Sequence, residues 1–476
     1  MATVNDTHKP YRPTSLQSEN LPLRVEDVTA EWCSKMLDGA PVADVKIISA
    51  QHGSSSSLVV ELTYEVDDPY DSFYSADSPM SEESFESLNS ITSTYPNLSR
   101  SARSSISSAS YSSTQLSRSA RSSISSTSST STTSTFSSSS TLNQSHHPSR
   151  VFFKGGLNPE LAALAPFLQA TYRREAEFYH HLAPTLRNAD VRLPESYFSG
   201  VDAVSGQGIV VLEDLAASGC TFGKPEQPLS VDQVRAGVEQ LARLHAATWS
   251  GRHGASGNGA AVEDAYPWLQ QQQGGSLRDI VRELLKSGPF DAVAPRNIGG
   301  PDGDRFQEHA SLLLDRERIR GAFESLWNGS DNANTSPSPS TAAFQCIVHG
   351  DPHIVNTFLT PAGEPGFLDW QTLARGNGSH DVAYFVASAL TVENRRTHEQ
   401  SIVRSYVEAL LREGGPCLKW EDAWLEYRKH LLHGYVLCLA QPGMQSQENI
   451  WVLTERYVTA ILDRSVDKLF ERADLT

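Results

Sequence analysis

Within the segment Cys346-Ile-Val-His-Gly-Asp-Pro-His-Ile-Val-Asn356, an apolar run delivers His349-Gly350-Asp351, and Asn356 follows Asp351 by five positions. A second apolar run, in Gly366-Phe-Leu-Asp-Trp-Gln371, delivers Asp369. Two carboxylates and one amide on short loops at strand ends suit phosphoryl transfer from ATP, a reaction that asks little covalent chemistry of the protein. It requires a carboxylate to orient an attacking hydroxyl and accept its proton, and hard oxygen ligands to hold magnesium against the phosphates. Asp351 suits the first task; Asn356 and Asp369 suit the second. His-Gly-Asp alone is a weak signal and Asp-x-x-x-x-Asn a weaker one. Combined with Asp-Trp-Gln eighteen residues beyond Asp351, they become specific.

The elements that must position these groups can be read along the chain. Residues 29–37 read as a short helix ending at Gly39, and residues 45–48 and 58–66 as β-branched, partly alternating strands. Gly53-Ser-Ser-Ser-Ser57 between them is a loop of small residues. Order resumes with the strand Arg150-Val-Phe-Phe-Lys154, and residues 160–183 show the apolar spacing of one helix, through Leu164, Phe167, Leu168, Tyr172, Ala176 and Tyr179. Ile209-Val-Val-Leu-Glu213 is a further strand. Ser230 and Gln233 then have the capping-box spacing that starts a helix running through His245 and Trp249. Apart from residues 344–369, the rest is mostly helical, with polar loops at 251–259 and 329–341. A strand-rich first part and a helix-rich second part give an α+β fold of two lobes.

Residues 71–149 differ in kind. Serine and threonine dominate, and LSRSARSSISS at 98–108 recurs at 116–126. Such a segment has too little apolar surface to offset the entropy of ordering its backbone, so disorder is expected. It is either a tolerated insertion or a loop tuned by regulatory kinases, since each phosphoserine adds nearly two negative charges. His146 and His147 at its end are expected to be solvated.

The catalytic segment resembles the aminoglycoside phosphotransferase and choline-kinase-like families, and most closely the CHK-kinase-like or ecdysteroid-kinase-like branch. The resemblance spans roughly residues 21–469 without the serine-rich insert. It implies a protein-kinase-like fold, with a small β-rich N-lobe at 21–215 and a larger helical C-lobe at 216–476, after a disordered tail at 1–20. It further implies ATP and Mg2+ as cofactors, Asp351 as catalytic base, His349 as support for the catalytic loop, and Asn356 and Asp369 as metal ligands. Lys154 resembles the lysine that reaches the ATP α- and β-phosphates, and Glu175 the helix glutamate that pairs with it. Glu177 is the second candidate and faces away from Glu175. Glu213 and Leu215 resemble the hinge that receives adenine, and Gly53, Ser54 and Ser55 stand where the nucleotide loop is expected, with one glycine rather than several. Trp370 and Gln371 fit the family's pattern after the metal aspartate. Asp381 is read as a helix cap or dipole partner, and His245 as a core residue. The geometry this requires is that loops after two neighbouring strands gather Asp351, Asn356 and Asp369 opposite Lys154.

The function implied is phosphorylation of a hydroxyl or amino group on a small molecule. Two alternatives stand beside it: a catalytically silent kinase-fold scaffold with a phosphorylatable loop, and, less favoured, a protein kinase. Against the protein kinase, His353 occupies the position where such enzymes usually carry lysine, and the interval from Asp369 to Asp381 is too short for a peptide-docking segment. Against the scaffold, Lys154, Glu175, Asp351, Asn356 and Asp369 are all present. A net charge of -17 disfavours nucleic acid as a partner. The five scattered cysteines form no Cys-x-x-Cys pair and read as reduced thiols in a cytoplasmic protein. No apolar stretch approaches the roughly 20 residues of a membrane span.

Overall fold

A computed structural model describes residues 20–52, 55–65, 147–160, 167–202, 204–249, 266–270, 281–282, 285–286, 300–327, 345–440, 446–466 and 468. The N-terminal tail, nearly all of the serine-rich insert, Gly53, Ser54 and the loops at 251–259 and 329–341 lie outside these residues.

Alternation of apolar and polar residues builds the first part of the fold. Strands β1 (Val42–His52), β2 (Ser56–Tyr64), β3 (Arg150–Gly155), β4 (Ser196–Val201) and β5 (Gly208–Glu213) form one antiparallel sheet in the order β1-β2-β3-β5-β4. Leu58, Val60 and Leu62 of β2, Val151 and Phe153 of β3, and Ile209 and Val211 of β5 bury one face. Helix α1 (Ala30–Met36), capped by the Thr29 hydroxyl, covers that face with Cys33 and Met36, and Trp32 packs edge-on against Phe198. Since side chains in a strand alternate between faces, Val210 and Leu212 belong instead to the larger core beneath the sheet. Lys154, paired across the ladder with Val210, shares that second face and is carried toward the helices. His147 remains exposed and stacks on Tyr64, three residues before the β3 strand.

The helix expected over 160–183 takes a different form. Described structure starts with α2 (Phe167–Glu177), passes through a π-helical turn at Phe178–Leu182, and continues as α3 (Ala183–Asn188). Pro184, in the first turn of α3, has no N–H to give the preceding turn, and the hydrogen-bond ladder widens there. Two glycines let α2 approach the sheet, and a third lets β3 and β5 meet closely. A Cβ on Gly208 would stand 2.4 Å from the backbone carbonyl of Tyr172, one on Gly156 would enter the Tyr172 ring at 2.5 Å, and one on Gly155 would meet the Gly208 carbonyl at 2.6 Å.

The second part is built of helices: α4 (Val231–Thr248), α5 (Gly300–Leu313), α6 (Arg316–Trp327), α7 (Gly378–Ala389), α8 (Val392–Arg412), α9 (Trp420–Ala440) and α10 (Gln447–Asp463). The Ser230–Gln233 capping box is formed in both directions, at 3.0 and 3.2 Å. Every residue of α7 is buried, and α4, α8, α9 and α10 pack around it. Tyr427 and Tyr435 are buried in this core, and Trp420, Trp424 and Tyr427 stack in series. No helix among the described residues is long and apolar enough to cross a membrane.

Short strands deliver the chemistry-bearing loops. Strand β7 (Gln345–Val348) pairs with β10 (Ala374–Asn377), while β8 (Thr357–Leu359) pairs with both β9 (Pro365–Phe367) and β6 (Thr221–Phe222). The strands preceding Asp351 and Asp369 are therefore members of two different small sheets rather than ladder neighbours. The chain leaves β7 at His349 and crosses to the other sheet at Thr357, which removes the direct pairing that the order of apolar runs suggested. The fold is α+β and protein-kinase-like, with a β-rich lobe and a larger helical one.

We expect Gly208→Ala to cost about 1–3 kcal/mol, because its Cβ meets backbone rather than a movable side chain. Urea unfolding with an unchanged midpoint would mean that α2 can retreat from the sheet at no cost.

Candidate active site

Lys154 reaches from β3 across the space between sheet and helices. Its Nζ lies 2.8 Å from Oε2 of Glu175 on α2 and 2.7 Å from Oδ1 of Asp369. Burial works against the ammonium charge, but Asp369 and Glu175 outweigh it, and the lysine pKa stands above its usual value. Burial likewise opposes the Asp369 charge, and Lys154 overcomes it, so that carboxyl stays below its ordinary range. Glu175 uses its other oxygen to accept the backbone N–H of Trp370 at 3.2 Å, which ties α2 to the residue following Asp369. Glu177, the second candidate, is engaged elsewhere: it pairs with Arg173 at 2.9 Å.

Asp369 itself has φ 66° and ψ 68°, a left-handed conformation that costs a non-glycine residue energy and persists only where the surroundings impose it. Here the surroundings are Lys154 on the side chain, Glu175 on the next N–H, and His349 on the preceding carbonyl. His349 Nδ1 accepts the Asp351 N–H at 3.2 Å, so its Nε2 is the donor to the Leu368 carbonyl at 2.8 Å. Burial lowers the imidazole pKa, consistent with that neutral tautomer. The ring packs on Trp370 at 4.4 Å, and Trp370 stacks on Phe178 at 4.1 Å. One histidine thus locks the segment bearing Asp351 to the segment bearing Asp369.

Asp351 and Asn356 are brought together directly. Asn356 Nδ2 donates to the Asp351 backbone carbonyl at 2.9 Å and to its Oδ2 at 3.1 Å. This leaves the Asn356 Oδ1 as the free acceptor of the pair. Burial first, and the charge of Asp369 second, push the Asp351 carboxyl well above its usual pKa, against the lowering influence of Tyr384 and Asn356. The neighbouring His353 is pushed down to about 4 by burial and carries no charge near neutrality.

Asp381 does not serve α7 as a cap, since Asn377 accepts the Ser379 N–H and fills that place. It is instead a fully buried carboxylate that accepts the backbone N–H groups of His349 at 2.6 Å and Gly350 at 3.1 Å. His245 Nε2, at 3.1 Å, and His380 Nδ1, at 3.0 Å, complete its shell, and Tyr406 bonds the other ring nitrogen of His245. Burial opposes the charge, yet the two imidazole hydrogen bonds hold Asp381 far below the usual carboxylate range. Gly350 adopts φ +90°, and a Cβ there would lie 2.4 Å from the Thr372 carbonyl, so this loop needs glycine twice over. Asp381 and its histidines escaped the sequence reading because an aspartate near a helix start has a commoner explanation. The signal available was its position inside an otherwise apolar helix.

At the expected hinge, Asp214 pairs with Arg150 at 2.9 Å and accepts the N–H of Ala216 at 3.1 Å. The buried Leu215 N–H has no partner among the described residues. Ser55 is the described part of the expected nucleotide loop, beside Ser56, whose hydroxyl lies 2.9 Å from His52 Nδ1. Among the described residues no group of three or more His, Cys, Asp or Glu side chains is arranged to hold a metal.

Asp381→Asn should destabilise the fold by about 3 kcal/mol, by stripping charge from two backbone donors and two imidazoles. Because the folded-state pKa is depressed, the wild-type advantage is complete above the unfolded value near 4 and shrinks as pH falls below it. Melting curves of both proteins at pH 7 and pH 3 measure this; an equal gap at both would contradict it.

No curated protein matches the chain. Among solved structures, it is similar to a spectinomycin phosphotransferase complexed with ADP and spectinomycin, at 10% identity over 92% of this chain and 99% of that one, with a TM-score of 0.40. It is also similar to an ethanolamine kinase of Plasmodium vivax (13% identity, 65% of this chain and 75% of that one, TM-score 0.36). A third likeness is to a choline kinase of Streptococcus pneumoniae (11% identity, 66% and 86%, TM-score 0.35). The profile of the ecdysteroid kinase-like family matches residues 162–414. That is more than half of the 476 residues and includes Glu175, Asp351, Asn356, Asp369 and Asp381. The chain belongs to the ecdysteroid kinase-like family.

Proposed function

We propose that the protein is an ATP- and magnesium-dependent kinase that phosphorylates a hydroxyl or amino group of a small molecule. The observation that carries this reading is the single constellation formed by Lys154, Glu175 and Asp369, joined through His349 to Asp351 and Asn356. In the proposed division of the chain, the lobe boundary falls after Leu215. The nucleotide then lies between the lobes, its adenine on the backbone of Glu213 and Leu215. The small-residue turn containing Gly53, Ser54 and Ser55 covers the phosphates, with the first two outside the described residues.

The donor set fits magnesium. Asn356 directs its amide hydrogens to Asp351 and keeps an oxygen free, and Asp369 offers a carboxylate held in its ionised form. Both are hard oxygen donors of the kind that ion prefers. These two residues would hold it, and when bound it would supply charge neutralisation of the phosphate oxygens. Lys154 binds the α- and β-phosphates, with Glu175 keeping its ammonium in place. Asp351 accepts the acceptor's proton as the acceptor oxygen or nitrogen attacks the γ-phosphorus and the bond to the bridging oxygen of ADP breaks. His353 is uncharged, so the cation that a protein kinase places at this point is missing, and residues 370–377 alone separate Asp369 from α7. Both features fit a small acceptor better than a peptide.

The test is ADP formation from MgATP across a panel of small alcohols and amines. Asp351→Asn should lower kcat by about 10²–10⁴ with nucleotide Kd unchanged, the range for loss of a general base. Lys154→Met should instead weaken nucleotide binding at least tenfold. Turnover surviving Asp351→Asn would refute the assignment of the base, and binding of MgATP with no turnover of any compound would favour a scaffold.

A further inference from the structure

Arg456, on α10 and outside the residues matched to the family, is a buried cation with no carboxylate at its guanidinium among the described residues. Sheltering a positive charge is costly unless its N–H groups are well used. Burial lowers its pKa, and the nearby Tyr457 and Glu455 offset that only in part. Its hydrogen bonds go to backbone, one to the Ser388 carbonyl and one, at 2.6 Å, to the Pro225 carbonyl. Ser388 lies in the last turn of α7, where carbonyls lack partners within the helix, and a guanidinium suits both the open acceptor and the helix dipole. Pro225 lies just beyond β6, far from Ser388 in sequence.

These two segments grip the turn that carries Asn356. On one side, Ser388 Oγ accepts the Ile354 N–H at 3.0 Å. On the other, the Gly223 N–H donates to the Thr357 carbonyl at 3.0 Å. A Cβ on Gly223 would stand 2.0 Å from the Ile354 carbonyl oxygen, so the two backbones meet with nothing between them. Inside the turn, the Thr357 hydroxyl donates to the Ile354 carbonyl at 2.6 Å, and the Leu368 N–H to the Asn356 carbonyl at 2.9 Å. Residues 354–357 therefore sit between the end of α7 and the chain after β6, and the Arg456 fork spans these two walls. The Leu229 N–H joins them a second time, at 2.9 Å from the Ala389 carbonyl. The other end of the loop is held separately, by Asp381 on the N–H groups of His349 and Gly350.

We propose that Arg456 is a positioning residue for Asn356: by tying Pro225 to Ser388 it fixes the turn at 354–357, and with it the direction of the Asn356 amide oxygen. This rests on the reading of Asn356 as a metal ligand. The Asn356 amide nitrogen is already committed to Asp351, so the remaining oxygen goes where the turn goes. Contacts beyond the ligands themselves tune metal affinity in just this way, by orienting the donor atom.

The experiment uses the full chain with ADP and Mn2+ in place of magnesium, following bound Mn2+ by electron paramagnetic resonance. Amide-resolved hydrogen exchange is read on the same protein without ligands. Arg456→Met should weaken Mn2+ binding in the ADP complex about tenfold, the scale on which lost support around a ligand acts. ADP affinity without metal should stay as in the wild type. The Ile354 N–H should exchange faster, and those of His349 and Gly350 should not. Arg456→Lys keeps the charge but loses the planar fork; it should show the same pattern at smaller size, and it serves if the Met variant fails to fold. Tyr435→Phe strips another buried hydrogen bond in the same lobe, to the Leu313 carbonyl, and should move neither readout. Unaltered exchange at Ile354, equal acceleration at 349, 350 and 354, unchanged Mn2+ affinity, or a matching effect of Tyr435→Phe would each overturn the proposal. If Asn356→Ala leaves Mn2+ affinity unchanged, the metal-ligand reading fails instead, and the exchange comparison still decides whether Arg456 holds the turn.

Discussion

A buried ammonium between two carboxylates joins the parts of this protein that otherwise belong to separate cores. Lys154 stands on the face of the sheet opposite Phe153, and Glu175 could not be sheltered so deeply without it, while Asp369 meets the same ammonium from a half-buried position. Two like charges brought together in a poorly solvated space repel strongly, and one cation placed between them turns the repulsion into cohesion. The pair Lys154 and Glu175 fixes α2 against the sheet, and the glycines at 156 and 208 permit the approach that the pair requires. The pair Lys154 and Asp369 then sets where the segment after β9 must lie. Sheet, helix and loop are registered by the same positive charge.

Much of this was legible from residue order because the deciding forces are local. Alternation in β2, β3 and β5 announces strands and even tells which face Lys154 takes, and Ser230 with Gln233 marks a helix start on capping chemistry alone. The pairing of Lys154 with Glu175 came from the family resemblance, since helix spacing says only that Glu175 and Glu177 point away from each other. The features that escaped depend on tertiary position. Pro184 can open a helix or interrupt one, and only the burial of Phe178, Tyr179 and Leu182 together in the larger core decides for a π turn within one continuous run. That β7 pairs with β10 rather than with β9 follows from where the chain returns after Thr372, which no spacing between apolar runs encodes.

Asp381 shows the same limit in sharper form. An isolated aspartate near a helix start is ordinarily explained by the dipole, and His245 on an apolar helix by core packing; each reading is reasonable for its own residue. Together they are something else: the histidines exist to make a buried charge tolerable, and the charge exists to organise a loop that has no regular structure of its own.

Strand β10 ends at Asn377 and α7 begins at Gly378, so eight residues separate Asp369 from the central helix, and Asn377 pins their far end. Three of the eight form a 3-10 turn at Trp370–Thr372 and four form β10, which leaves a single residue, Leu373, outside regular structure. A stretch so fully accounted for has little room to leave its place and refold, so a shift of α7 would carry Asp369 with it.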